Sequence, residues 1–233
     1  MATSEPEFPV AKSEPTPATT ASAGLTRATN QERALDAAAT VISVVPWLGG
    51  PVSQVLSGMS IERKMDRVKE VLDGLAQDLS DFHSEASETY VHSDEFQEVL
   101  ERTLRQVADE RNEEKRRIYR LFLKRTIETP GEPYDEQRRF LHTLEEIQGD
   151  HLRIMRAMLQ EPEANLGDMG SPHQTLCRRV PDMPQERIAD LVGQLNDMRV
   201  TNLTGLNTMM TAHGAANLSH ALTPYGRRFI AFL

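Results

Sequence analysis

Cysteine is almost missing from this 233-residue chain, and its scarcity excludes several kinds of structure. The single cysteine, Cys177, cannot form a disulfide within the chain, and a zinc site built from several thiolates is excluded. Aromatic residues are also scarce, at 5% with one tryptophan, whereas there are 10 methionines. This composition favours helices packed through aliphatic side chains and methionine over a β-sandwich.

An excess of positive charge is missing as well. The chain carries 26 basic and 35 acidic residues, for a formal net charge of −9. Proteins that hold nucleic acid through its phosphates usually carry a basic surface, so the overall charge disfavours a nucleic-acid partner. An acidic balance is typical of cytoplasmic proteins, and we therefore expect a cytoplasmic location.

Known catalytic sequence motifs are missing too. The sequence has no P-loop, no GxGxxG, no HExxH and no GxSxG. His142, Glu146 and Asp150 are spaced by four residues on one predicted helix, but no matching ligand set is found on the other helices. We therefore predict a non-enzymatic protein with no catalytic residue, no metal site and no cofactor.

Residues 1–29 begin "MATSEPEFPVAKSEPTPATT" and are rich in Pro, Thr, Ser and Ala. They lack the basic start and the apolar stretch of a secretory signal. Such a composition cannot bury enough apolar surface to offset the entropy of ordering the chain. We expect a disordered tail.

Charged residues are absent from residues 37–61, and this apolar segment is broken by "PWLGGP" at 46–51. Prolines and glycines at its centre would leave backbone groups unpaired in lipid, which disfavours a simple transmembrane span. The pattern predicts two short helices joined by PWLGGP. It is either a hairpin buried in the core or a conditionally inserted hairpin that would place the protein at the periphery of the inner membrane. Its candidate membrane or partner contacts are Val41, Val44, Val45, Trp47, Leu48, Val52, Val55 and Leu56.

A heptad seam follows this segment. Its apolar positions are separated alternately by four and three residues: Ile61, Met65, Val68, Leu72, Leu75, Leu79 and Phe82. Three heptads are short for a stand-alone coiled coil, so we favour a helical bundle within one chain over pairing with a second copy. The bundle is expected over 30–130, with a helix capped at Ser93. The "EEKRR" run at 113–117 is expected on a solvated face, either after a short break capped by Asn112 or within one long helix.

The region 131–233 follows the breaker "TPGEP" and has a different pattern. It predicts a helix over 134–160, a helix over 184–199, a β-hairpin around "AHGAAN" at 212–217, and a last helix capped by Thr223. This region resembles a winged-helix domain. Many bacterial winged-helix proteins leave the wing through a leucine–threonine pair with a glycine three residues after the threonine, as in Leu222, Thr223 and Gly226 here.

The resemblance implies an α+β module and a candidate nucleic-acid contact set of Arg178, Arg179, Arg187, Arg199, Arg227 and Arg228. However, the helix over 184–199 carries the acids Glu186, Asp190 and Asp197 against two arginines, which is unfavourable in a phosphate-lined groove. The front half resembles a group of uncharacterised bacterial helical proteins, in which an apolar Pro/Gly segment precedes a heptad helix and an "EKRR"-like run. That second resemblance implies no activity.

The sequence therefore predicts a mainly α protein, in which a helical bundle with an apolar helical hairpin precedes a winged-helix-like α+β module. The function that we expect is interaction or assembly, with a protein partner or a second copy, and conditional membrane association through the hairpin. The alternative is a DNA-binding winged-helix transcriptional regulator.

Overall fold

The computed structural model describes residues 38–58, 64–162 and 168–233. The predicted tail at 1–29 and Ile61 of the heptad seam lie outside the described residues. The described chain is mainly helical, as the composition predicts.

Its first half contains helices only. In chain order these are α1 (38–44), α2 (Pro46–Gly58), α3 (Met65–Asp78), α4 (Glu85–Tyr90), α5 (Asp94–Asp109) and α6 (Glu113–Glu128). The second half adds two short strands: α7 (Tyr134–Glu146), α8 (Gly149–Leu159), β1 (Met169–Gly170), α9 (Pro172–Arg179), α10 (Gln185–Asp197), β2 (Met210–Thr211), α11 (Ala212–Ala216), a 3-10 turn (Leu218–Ala221) and α12 (Pro224–Phe232).

Helix starts follow the predicted capping residues. Ser93 Oγ accepts a hydrogen bond from the N–H of Phe96 at 3.2 Å, and Asn112 Oδ1 accepts one from Lys115 at 3.3 Å. Each bond satisfies a backbone donor that has no partner within the helix. Asn112 therefore begins a new helix, and the charged run at 113–117 belongs to α6 rather than to one long continuous helix.

The heptad seam lies on α3, which packs between α5 and α6 of the same chain. Met65, Val68, Leu72 and Leu75 on α3 are buried, as is Leu79 just after it, whereas Phe82 lies beyond the helix and is half-buried. The burial of this stripe is what the spacing of four and three residues predicts.

One expectation on α6 was wrong. Arg116, placed on a solvated face by the sequence, is buried. Its guanidinium pairs with Glu70 of α3 at 2.8 Å and donates to the carbonyl of Arg111 at 2.9 Å. A buried cation needs such partners, and Glu70 lies 46 residues away in sequence, beyond the reach of a local pattern.

Two expectations in the second half were also wrong. The single helix over 134–160 is interrupted between α7 and α8 at residues 147–148. The β-hairpin around 212–217 is replaced by α11, because Thr211 caps a run of small, mostly buried residues by accepting a hydrogen bond from Gly214 at 3.3 Å. The strands β1 and β2 pair antiparallel with each other, and an isolated bridge joins Thr201 to Leu222.

Helix α12 packs against α6 and α7 through aromatic contacts. The ring of Phe232 lies 5.0 Å from that of Phe140 on α7 and 5.6 Å from that of Phe122 on α6. Tyr225 donates its hydroxyl to the carbonyl of Arg139 at 3.1 Å. At the start of α12, Thr223 caps the helix by accepting from the N–H of Gly226 at 2.9 Å, as the sequence predicts.

Candidate contact surface on the apolar hairpin

The apolar hairpin, α1 with α2, turns at Val45. The N–H of Val45 still bonds to the carbonyl of Val41 at 2.7 Å, and α2 begins at the next residue, Pro46. The expectation that PWLGGP links the two arms was therefore wrong, because 46–51 is helical. Proline suits the first position of a helix, where no N–H is needed, which explains why α2 begins there.

A close contact shows how sharply the chain turns. A Cβ added to Gly49 would lie 2.1 Å from Ile42 Cγ1 and 3.1 Å from Ile42 Cβ. Residues seven apart on one straight helix are separated by about 10 Å along its axis. The α1 arm therefore folds back against α2, and only a residue without a side chain fits at position 49.

The inner face of the hairpin is fully sheltered. Six of the predicted contact residues are between 0% and 7% exposed, and α2 packs against α5: Val41, Val45, Leu48, Val52, Val55 and Leu56. In the resting molecule these residues belong to the main core.

The outer face of the hairpin is mixed, because it exposes large apolar residues together with the polar Ser43, Gln54 and Ser57. Val44 is 36% exposed, and Trp47, three residues later in the chain, is half-buried. Ile42, which the sequence did not single out as a contact residue, is 47% exposed. Its position beside Val41 is the signal that could have found it, since a helix that buries residue 41 turns residue 42 toward solvent.

Polar contacts add little to the attachment of the hairpin. Among the described residues, its hydrogen bonds run within the hairpin except at Thr40, whose hydroxyl lies 3.5 Å from Lys69 Nζ. Beside α2 lies a groove of about 330 Å³ whose lining includes three acids of α5 and no base: Gln54, Val55, Asp94, Gln97, Glu98 and Glu101. The flank of the hairpin is therefore acidic and the hairpin is held by apolar packing.

The candidate nucleic-acid contacts are largely engaged within the chain. Arg179 donates to the carbonyls of Ala157 and Ala216, both at 2.8 Å. Arg228 pairs with Glu136 at 2.6 Å.

The remaining arginines of that set lie on or beside α9, α10 and α12. Arg187 donates to Gln148 at 3.2 Å, Arg178 to Thr175 at 3.3 Å and Arg227 to the Leu222 carbonyl at 3.3 Å. Arg199 is exposed in the left-handed backbone region, with φ 58°.

The solvent face of α10 is acidic. Its exposed residues include three carboxylates and no base: Gln185, Glu186, Asp190, Gly193, Gln194 and Asp197. Arg187 is half-buried and turned toward Gln148. A phosphate backbone would be repelled by this face.

Residues with metal-binding chemistry do not converge within the described part of the chain. No group of three or more His, Cys, Asp or Glu side chains there could hold a metal ion. Cys177 Sγ lies 3.8 Å from His173 Nε2, which itself contacts the Gln185 carbonyl at 3.1 Å.

No helix among the described residues is long and apolar enough to cross a membrane. Comparison of the chain with protein-family models, with curated proteins and with solved structures found no match.

Proposed function

We propose that this is a non-enzymatic interaction or assembly protein whose apolar hairpin is its contact element. The observation that carries the proposal is the outer face of the hairpin, where Ile42 and Val44 are exposed and Trp47 is half-buried. Large apolar side chains that a folded protein leaves exposed on one element mark a candidate interaction site.

The occupant that we propose is a membrane surface, which would place the protein in the cytoplasm at the periphery of the inner membrane. The described hairpin carries no charge, and apolar packing holds it to the bundle. Lipid would thus replace one apolar environment with another, at a small cost in polar contacts. Trp47 has the amphipathic indole that favours the boundary between lipid and water.

The fluorescence of Trp47 tests this function directly, because it is the single tryptophan of the chain. We expect a blue shift of its emission on addition of vesicles, with quenching by lipid-borne quenchers. Because the groove beside the hairpin is acidic, anionic vesicles should bind no more tightly than zwitterionic ones. An unchanged emission with both kinds of vesicle, in the folded protein, would contradict the membrane proposal.

A matched pair of variants separates the hairpin from general apolar exposure. Val44→Asp adds a charge to the outer face of the hairpin, and Met209→Asp adds one at a residue that is 55% exposed near β2. We expect Val44→Asp to abolish the vesicle response and Met209→Asp to leave it intact. A concentration-dependent rise in mass without lipid, lost in Val44→Asp, would instead assign the hairpin to self-association.

For the second half of the chain we propose a winged-helix-like module used for protein contact rather than DNA binding. Its support is the packing of α8, α9 and α10 around one another, with the chain leaving the β-bridge through Leu222 and Thr223. The acidic solvent face of α10 is what favours a protein partner over a phosphate backbone.

We expect the full chain to bind duplex DNA weakly. In a titration followed by anisotropy at moderate salt, binding should be weak, because the face of α10 repels phosphate. A Glu186→Lys, Asp190→Lys double variant should bind more tightly, since it reverses the charge of that face. Tight, salt-sensitive binding by the wild type would favour the transcriptional regulator instead.

A further inference from the structure

A buried histidine joins two helices of the second half. His151 lies on α8 and is 2% exposed. Its Nδ1 accepts a hydrogen bond from the backbone N–H of Gln148 at 2.9 Å, and its Nε2 lies 2.8 Å from Oε1 of Gln194 on α10. A backbone N–H can only donate, so Nδ1 carries no proton and Nε2–H donates to Gln194. The neutral ring thus uses both nitrogens.

We propose that His151 is an acid-sensitive latch on the start of α8, closed by the neutral imidazole and opened by its protonation. A proton on Nδ1 would face the N–H of Gln148 across 2.9 Å, so that two donors would oppose each other. The bond that supports the start of α8 would be lost and the cation would be buried, whereas Nε2–H would keep its bond to Gln194 of α10.

The charged groups around the ring act in both directions. Burial is the main cause that lowers the pKa of His151, and the cations Arg187 of α10 and Lys115 of α6 lower it further. The hydrogen bond to Gln194 and the neighbouring carboxylate of Asp150 on α8 raise it. The net shift is downward, so the folded protein resists protonation.

The sign of the pH effect follows from this shift. An unfolded histidine titrates near pH ~6.5. Because the pKa of His151 in the folded state is lower, the unfolded chain binds the proton first as the pH falls. The stabilising contribution of the neutral latch is complete above that pH and is lost as the pH falls below it.

Neighbouring contacts confine the opening to the second half. On the other side of the α7–α8 corner, Glu145 binds Arg102 of α5 through two bonds of 2.8 Å each. Lys115 donates to the Glu145 carbonyl at 2.8 Å. These bonds do not depend on the imidazole of His151, so α7 stays on the bundle while the start of α8 loosens.

The test compares urea unfolding of the full chain between pH 8 and pH 5 in three forms. His151→Gln keeps one acceptor and one donor but cannot titrate, and His220→Gln removes an exposed histidine as the matched control. Relative to His151→Gln, the unfolding equilibrium constant of the wild type should rise several-fold at the acid end, about ten-fold for each unit between the two pKa values. The His220→Gln profile should follow the wild type. Parallel profiles for the wild type and His151→Gln would overturn the latch.

If His151→Gln does not fold, NMR titration and amide exchange of the wild type test the proposal. The imidazole signals of His151 in NMR should titrate below those of the unfolded chain, and amide exchange in α8 should accelerate across that titration while α3 stays protected. An imidazole that titrates at or above the unfolded value, or exchange in α8 that does not follow the titration, would overturn the proposal.

Discussion

The Gly226→Ala variant is expected to unfold at a clearly lower urea concentration than the wild type. A Cβ at position 226 would lie 2.1 Å from the carbonyl oxygen of Val200 and 3.0 Å from its carbonyl carbon. Both atoms belong to the backbone, so the clash can be relieved only by moving the start of α12 away from Val200. Overpacking of this kind costs about 1–3 kcal/mol, and more where the backbone must shift.

The matched control is Gly193→Ala, which adds the same methyl group to α10. A Cβ at position 193 meets no atom within 4 Å, and alanine favours the helix over glycine by about 1 kcal/mol. We therefore expect Gly193→Ala to raise the urea midpoint while Gly226→Ala lowers it. Equal midpoints for Gly226→Ala and the wild type would show that α12 does not approach Val200 this closely.

Leu72→Ala and Leu75→Ala should each lower the free energy of unfolding by roughly 2–5 kcal/mol. Both side chains are fully buried on α3, where truncation removes apolar burial and leaves a cavity. Urea denaturation followed by circular dichroism measures the effect. Leu159→Ala, at a residue that is 44% exposed, is the control and should change the stability by no more than about 0.5 kcal/mol. Midpoints like that of the wild type in both core variants would place the seam in solvent.

The parts of the fold that the sequence predicts are those determined by neighbouring residues. The seam on α3 is visible because a stripe with the helical period reports one buried face. Ser93, Asn112 and Thr223 are visible as caps because each bonds to a backbone donor three residues later. The distant contact between Arg116 and Glu70 leaves no such local signal, and neither does the pairing of β1 with β2.

The candidate surface was predictable only in outline. Freedom from charge locates the hairpin, but it does not by itself separate the exposed Ile42 and Val44 from the buried Val41 and Val45. The turn was misplaced because proline suits both a linker and the first position of a helix, and because α2 accommodates Gly49, Gly50 and Pro51 against their local preference. The contact between Ile42 and Gly49, which determines how the arms meet, depends on the tertiary fold.

The apolar attachment of the hairpin has a consequence for temperature. Burial of apolar surface weakens on cooling, whereas the ion pair between Arg102 and Glu145 does not depend on that driving force. Cooling therefore loosens the hairpin before it loosens the joint between α5 and α7. Sulfate, which is excluded from protein surfaces and strengthens apolar burial, tightens the hairpin again.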